Sequence, residues 1–170
     1  MKKLFSEILG TRVMTENGET IAIIFDVLID PDNGSVVAFS VLFGFRRVII
    51  PLDIREWFRE VIVSDADVIV DPFEVIRVKK ILERNIFFLK NRVYSKNGRY
   101  LGRVFDLEID LEQMFLIKIF VAKNFLGFVH FDERIIAFSD IIEVHADRII
   151  VKNDAGFEKV VNRKTEMVAG

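Results

Sequence analysis

The feature that most constrains the fold of this chain is an internal repeat at a shift of 80 residues. Over positions 9–41 this shift aligns ten identical residues without a gap. In the first copy the matched residues are Leu9, Arg12, Val13, Asn17, Gly18, Phe25, Asp26, Ile29, Asp30 and Val41. A chain of 170 residues that repeats itself in this way contains two copies of one small structural unit.

Each copy has the pattern of short β-strands separated by tight turns. In the first copy, β-branched and aromatic residues dominate positions 11–15, 20–30, 35–43 and 46–51. An Asn-Gly pair follows the first of these strands in both copies, and this pair favours a two-residue hairpin turn because both residues must adopt positive φ. The predicted fold class is all-β with short helices: two tandem small antiparallel β-barrels joined by a short helix.

A short amphipathic helix is predicted between the copies. Asp71 and Pro72 have the character of an N-cap and a first helical residue. Apolar residues then recur at helical spacing, at Val75, Val78 and Leu82. The predicted domains are residues 1–71, a linker helix at 72–84, and residues 85–170.

A helical turn is predicted after the fourth strand of each copy. Asp53 and Glu56 in the first copy recur as Asp140 and Glu143 in the second. An acidic residue followed three positions later by Glu is typical of a helix N-terminus. Both copies are therefore expected to place a short helix at the same point.

The two copies resemble the PRC-barrel domain. In that family a strand and a turn ending in glycine are followed by Leu-Gly-basic-Val-x-Asp, and a later Ile-Pro precedes a helical turn. The second copy has the first motif at residues 101–106, and the first copy has the second motif at residues 50–51. The departures from the pattern are Ala22, Ile23 and Ala137. The resemblance implies a PRC-type barrel in each copy. It also implies a non-catalytic module like those of the photosynthetic reaction-centre H subunit, a ribosome-maturation factor and archaeal cell-division machinery.

Composition limits the compartment and the class of protein. The chain has no cysteine, so disulfides and thiolate chemistry are excluded and a cytoplasmic protein is expected. The longest apolar stretch, residues 36–45, is far shorter than the roughly 20 residues that cross a bilayer, and no membrane span is predicted. The chain has 17 Phe, which are expected to fill the barrel interiors together with Ile and Val.

Patterns typical of catalysis or of cofactor binding are missing from the sequence. Asp26 and Asp30 lie four residues apart on a predicted strand, about 13 Å at the usual rise, which is too far for joint acid–base chemistry. Because both copies have this pair, a structural role such as bonding turn amides is favoured. The only histidines, His130 and His145, have no metal-ligand spacing. We therefore expect no catalytic residue, no metal site and no cofactor, and a barrel this small is filled by its own side chains.

The copies differ most in the segment before the fourth strand. The first copy has seven residues there, 42–48, and the second has thirteen, 122–134. The longer segment alternates enough to predict an additional hairpin. Its candidate docking residues are Phe125, Leu126, Phe128, His130 and Phe131. They either pack against the other barrel or form an apolar surface for a partner.

Two functional hypotheses follow. The favoured one is a non-catalytic adaptor that binds a protein, or a second copy of itself, through this hairpin and the groove between the barrels. The alternative is an RNA-processing or ribosome-assembly factor, with a basic patch at Arg46, Arg47, Lys79, Lys80, Arg99 and Arg103. The net charge of −2 disfavours direct binding to nucleic acid.

Overall fold

A computed structural model of the chain describes residues 1–43, 45–126 and 129–156. The elements of the first copy are β1 (Lys2–Leu4), α1 (Phe5–Ile8), β2 (Arg12–Thr15), β3 (Thr20–Ile29), β4 (Val36–Phe43), β5 (Phe45–Ile49), β6 (Ile54–Trp57) and β7 (Val61–Val63). After helix α2 (Ile76–Arg84) come β8 (Arg92–Ser95), β9 (Tyr100–Asp110), β10 (Phe115–Ala122), β11 (Asn124–Leu126), β12 (Val129–Phe131), β13 (Arg134–Ala137), β14 (Ile141–Val144) and β15 (Arg148–Val151). None of the helices in these ranges has the length and apolar character that crossing a bilayer requires.

Apart from the hairpin of β11 and β12, the described strands form two large sheets with the same internal order. The first runs β5-β4-β3-β2-β7-β6, and the second runs β13-β10-β9-β8-β15-β14. The predicted antiparallel meander accounts for four strands of each sheet. The structure adds one parallel pair per sheet, β2 with β7 and β8 with β15. The predicted fold class and the tandem arrangement are confirmed.

The turns that were predicted from the sequence have structural explanations. The predicted two-residue turns at Asn-Gly are wrong: the N–H groups of Thr15 and Ser95 donate to the carbonyls of Glu19 and Arg99, so each turn has three residues. Of each Asn-Gly pair only the glycine has positive φ, 84° at Gly18 and 85° at Gly98, a conformation that glycine adopts without strain. Asp30 accepts a hydrogen bond from the N–H of Asp32 (3.0 Å), and Asp110 accepts one from the N–H of Glu112 (2.9 Å). The predicted structural role of this Asp pair, bonding turn amides, is confirmed for its second member.

The predicted helical turns after the fourth strands are present as single 3-10 turns. They span Pro51–Asp53 and Phe138–Asp140, and a third 3-10 turn spans Ala66–Val68. Each of the first two ends at the acidic residue that was predicted to begin it. A strand follows at once, so the chain has no room for a longer helix.

Most buried side chains of the two large sheets form one continuous apolar core, and a smaller second cluster lies between the first sheet and α2. Its largest fully buried members are mostly branched aliphatic residues, among them Ile8, Ile24, Phe39, Ile49, Ile109, Leu116, Ile119 and Ile136. The expectation that Phe fills the interiors is therefore wrong in part. Phe58 and Phe73 are 74% and 63% exposed, so these two rings do not fill the interior.

The two halves meet about a pseudo-twofold axis. The N–H of Val36 donates to the carbonyl of Met114, and the N–H of Leu116 donates to the carbonyl of Gly34, both at 2.8 Å. Val36 and Leu116 are equivalent positions under the 80-residue shift, and so are Gly34 and Met114. The two hydrogen bonds are therefore equivalent to each other. Strands β4 and β10 thus join the sheets where the axis passes, at the bridge between Ser35 and Phe115.

The N-terminus breaks this symmetry. Strand β1 pairs with β9 of the second sheet, with Lys3 opposite Ile109, and the terminal ammonium of Met1 contacts Glu112 at 2.5 Å. The counterpart of β1 under the shift, residues 82–84, is instead the end of α2. Residues placed in the first predicted domain therefore complete the second sheet, and the predicted boundaries stay a prediction.

Helix α2 begins later than predicted, at Ile76 instead of Pro72. The Asp71 carboxylate accepts from the N–H of Phe73 (2.9 Å), so the cap signal forms a separate turn before the helix. The helix buries Val78 and Ile81 against the outer face of the first sheet, where it contacts Leu28, Val37, Ala38 and Val48.

Candidate functional site

One carboxylate in the second sheet is fully engaged by the N-terminal segment. Asp106 lies on β9 and is 8% exposed. Its Oδ1 accepts from the N–H of Leu107 (2.8 Å) and from the N–H of Ser6 (3.2 Å). Its Oδ2 accepts from the Ser6 hydroxyl at 2.6 Å. The carboxylate therefore holds both donors of a single serine, and we call this arrangement the serine clamp of Asp106 and Ser6.

Asp26 occupies the same place in the first sheet but has a different environment. Its Oδ1 accepts from the N–H of Val27 at 2.8 Å, which reproduces the bond between Leu107 and Asp106. Among the described residues it has no other hydrogen-bond donor, because the counterpart of Ser6 is Ile86. Burial raises the pKa of Asp26, and this effect is opposed by the Val27 hydrogen bond and by the Arg46 charge.

Asp26 faces a cavity of about 380 Å³ that we call the linker cleft. The cleft lies between the first sheet and the segment before α2, and its walls include Phe25, Asp26, Leu28, Ser40, Arg46, Arg47, Asp71, Phe73, Leu82 and Phe87. Ser40 contributes to the open space because its side chain is small. Its counterpart in the second sheet is Phe120, whose ring centre lies 6.1 Å from that of Phe105.

A second cavity of about 250 Å³, the edge cavity, also has Asp26 in its wall. Its walls include Ile86, Phe88 and residues 27–29 of β3. These three residues extend beyond the part of β3 that pairs with β2, and we call this free side of the strand the β3 edge. In the second sheet the matching edge is covered by β1. Asp26, Leu28 and Phe87 line both cavities, so one half-buried carboxylate stands between two mostly apolar spaces.

The charges around the linker cleft are nearly balanced. Arg47 pairs with Asp71 at 2.7 Å. The Arg46 guanidinium lies 5.5 Å from the centre of the Phe25 ring, a distance suited to a cation–π contact. No ion pair within 4 Å joins Arg46 to another described residue. The cleft is therefore apolar in its walls and offers one exposed cation and one half-buried anion.

The predicted basic patch is spread over separate parts of the molecule. Arg46 and Arg47 lie on β5, Lys79 and Lys80 on α2, and Arg99 and Arg103 at the start of the second sheet. Two members are neutralised locally, since Arg47 pairs with Asp71 and Lys79 approaches Glu83 at 3.9 Å. The six residues thus belong to three different parts of the fold, and their action as one basic patch stays a prediction.

The predicted additional hairpin is present as β11 and β12. Phe125 pairs with His130, and Leu126 pairs with Val129. Phe131 pairs with Asn124, and Phe128 lies outside the described residues. The hairpin forms a two-stranded sheet of its own. The docking role of its five candidate residues stays a prediction.

The residues that sequence reasoning missed are Ser40, Phe73 and Phe87. Phe73 and Phe87 are 63% and 44% exposed at the linker cleft, which is unusual for large apolar side chains. The alignment of Ser40 with Phe120 was a usable signal, because a small residue opposite a large one predicts a difference in packing.

Comparison with known proteins agrees with the architecture. A search of curated proteins found no match. The family model of the PRC-barrel domain matches twice, at residues 2–76 and 88–158, and these two ranges contain the two sheets. PRC-barrel domains are generally non-catalytic. The chain belongs to the PRC-barrel family and contains two PRC-barrel domains in tandem.

Proposed function

We propose that this chain is a non-catalytic adaptor that docks a peptide segment of a partner protein in the linker cleft. The observation that carries the proposal is the open cleft beside Asp26, at a place where the first domain departs from its own copy. Exposed Phe73 and Phe87 at the cleft supply apolar contact area of the kind found at the centre of protein interfaces.

The second domain supports a peptide as the occupant. There, residues 2–4 of the chain pair with β9, and Ser6, in the short helix that follows, bonds to Asp106. The matching edge of β3 faces the edge cavity, and its carboxylate retains hydrogen-bonding capacity. An extended segment is suited to such a sheet edge, because its backbone can pair while its side chains enter the adjoining cavities.

Site-specific crosslinking tests the proposal. A photoreactive phenylalanine analogue at position 73 should capture a partner protein in cells. The same analogue at position 52 should not, because Leu52 is 87% exposed on a turn that does not line the cleft. Ser40→Phe should abolish capture by filling the cleft, whereas Ser40→Ala should preserve it. Equal capture at the two positions, or capture that survives Ser40→Phe, would contradict the proposal.

The hairpin of β11 and β12 is the competing docking surface within the same function. Replacing Phe128 and Phe131 with Ser should leave capture at position 73 intact if the cleft is the docking site. Loss of capture in this double variant, with the fold preserved by circular dichroism, would move the proposed site to the hairpin.

The RNA-processing or ribosome-assembly role has less support, because the six basic residues are dispersed and two of them pair with acids. That role requires co-purifying RNA and an affinity that falls steeply with salt. We expect neither, and measurement of RNA binding between 50 and 200 mM salt, the interval over which phosphate contacts lose affinity by orders of magnitude, would decide the matter.

A further inference from the structure

The inference rests on the proposed function and concerns the chemistry that Asp26 recognises. Asp26 and Asp106 are equivalent carboxylates, and both accept at Oδ1 from the N–H of the next residue at 2.8 Å. This shared bond fixes both side chains in the same orientation. Asp106 uses its remaining capacity on Ser6, whereas Asp26 has no second donor among the described residues.

A partner group at Asp26 must donate hydrogen bonds, because an ionised carboxylate only accepts them. The geometry at Asp106 shows which donors fit: a backbone N–H at Oδ1 and a hydroxyl at Oδ2, both from one residue. The space beside Asp26 also suits the neighbours of such a residue, because both adjoining cavities have mainly apolar walls.

We infer that Asp26 recognises a serine or threonine of the docked partner peptide. Its N–H and its hydroxyl bond to the two carboxylate oxygens, the same donor set that Ser6 offers to Asp106. They reach Asp26 through the linker cleft, because Ile86, the counterpart of Ser6, lines the edge cavity and not the linker cleft. The flanking apolar side chains of the peptide enter the linker cleft and the edge cavity. The first domain is thus a receptor for the kind of segment that the second domain receives from its own chain.

Phosphorylation of the recognised hydroxyl would block this contact. A phosphoserine has lost its hydroxyl donor and carries a charge of about −1.5 to −2 at neutral pH. Placed against the half-buried Asp26 carboxylate, it meets charge repulsion as well as a missing hydrogen bond. The site therefore discriminates the unmodified form of its partner from the phosphorylated form.

The chain supplies a probe, because residues 1–10 contain the segment that binds Asp106. A synthetic peptide of this sequence, labelled and added to the full chain, should shift the amide resonance of Val27 and give saturable fluorescence anisotropy. Peptides with Ser6→Ala or with phosphoserine at position 6 should bind about 10-fold more weakly or worse, as expected for the loss of a charge-assisted hydrogen bond. Asp26→Asn and Asp26→Ala should weaken binding to a similar extent, and Asp67→Asn, the same change at an exposed carboxylate, should have no effect.

The outcomes separate this inference from the proposed function. Equal affinity for the Ser and Ala peptides, or undiminished binding to both Asp26 variants, overturns the proposed recognition of serine or threonine by Asp26. If Ser40→Phe still abolishes binding in that case, the cleft survives as a docking site. If the amide resonance of Leu107 shifts and that of Val27 does not, the peptide has displaced the chain's own N-terminal segment from Asp106. That result would also overturn the inference. Absence of binding at millimolar peptide overturns it as well, while capture at position 73 continues to test the docking site.

Discussion

Replacing Ser6 with Ala tests the serine clamp of the second domain, which is the basis of the argument for the first. The substitution removes the hydroxyl that lies 2.6 Å from Asp106 Oδ2, while the Ser6 N–H remains. Asp106 is 8% exposed, so water replaces the lost donor poorly. A hydrogen bond to a charged group contributes about 1.5–3 kcal/mol, and the better helix propensity of Ala returns at most about 0.5 kcal/mol. We expect the free energy of unfolding to fall by about 1–2.5 kcal/mol.

Urea unfolding followed by circular dichroism measures this change. With an m-value of about 2 kcal/mol per molar, the midpoint should fall by roughly 0.5–1.2 M. Ser139→Ala, which removes an exposed hydroxyl from a 3-10 turn, is the matched control and should leave the midpoint unchanged. In an Asp106→Asn background, Ser6→Ala should cost less, and the difference is the coupling energy of the pair. A midpoint for Ser6→Ala equal to that of the control, or a coupling energy of zero, would refute the reasoning.

Three further predictions concern stability and titration. Gly102→Ala should destabilise the protein by several kcal/mol, because the new Cβ would lie 2.4 Å from a backbone carbonyl of β10 at φ 134°; Gly18→Ala, with open space around it, should cost only about 1 kcal/mol in the same thermal unfolding experiment. Asp26→Asn should raise the melting temperature at neutral pH, because burial raises the pKa of Asp26 and the ionised form therefore opposes folding. The wild-type penalty should fade as pH drops through the folded pKa and vanish below the unfolded value of about 3.9, so a gain from Asp26→Asn that is independent of pH would contradict this. Arg84 holds the pKa of Asp32 low through its hydrogen bonds, so Arg84→Ala should return that pKa toward its usual value in an NMR titration. The free energy of unfolding should change by less than about 1 kcal/mol because the pair is exposed. An unchanged titration of Asp32 would be the contrary result.

Much of the fold could be predicted because its signals are local and occur twice. The Asn-Gly turns and the alternating strands need only a few neighbouring residues to form, and the repeat doubles every such signal. The predicted start of α2 was wrong for a related reason. Asp71 and Pro72 form a cap that serves a short turn equally well, and the sequence does not distinguish a turn from the first turn of a helix.

The pairing of β1 with β9 could not be predicted from the sequence. The strand has three residues, which is too short for a periodic pattern, and its partner lies more than 100 residues away. The linker cleft depends on the same kind of non-local contact. Ser40 indicates that a side chain is small, but whether space results is decided by Phe73 and Phe87, which arrive from the linker.

The pseudo-twofold axis at Ser35 and Phe115 has a consequence for how such a protein can change. In a symmetric homodimer every substitution appears twice, so a residue cannot be altered on one side alone. Joining the two halves in one polypeptide removes that restriction. Serine could then be kept at position 6 while isoleucine stands at position 86, leaving one half to hold the molecule together and the other free to acquire a separate use.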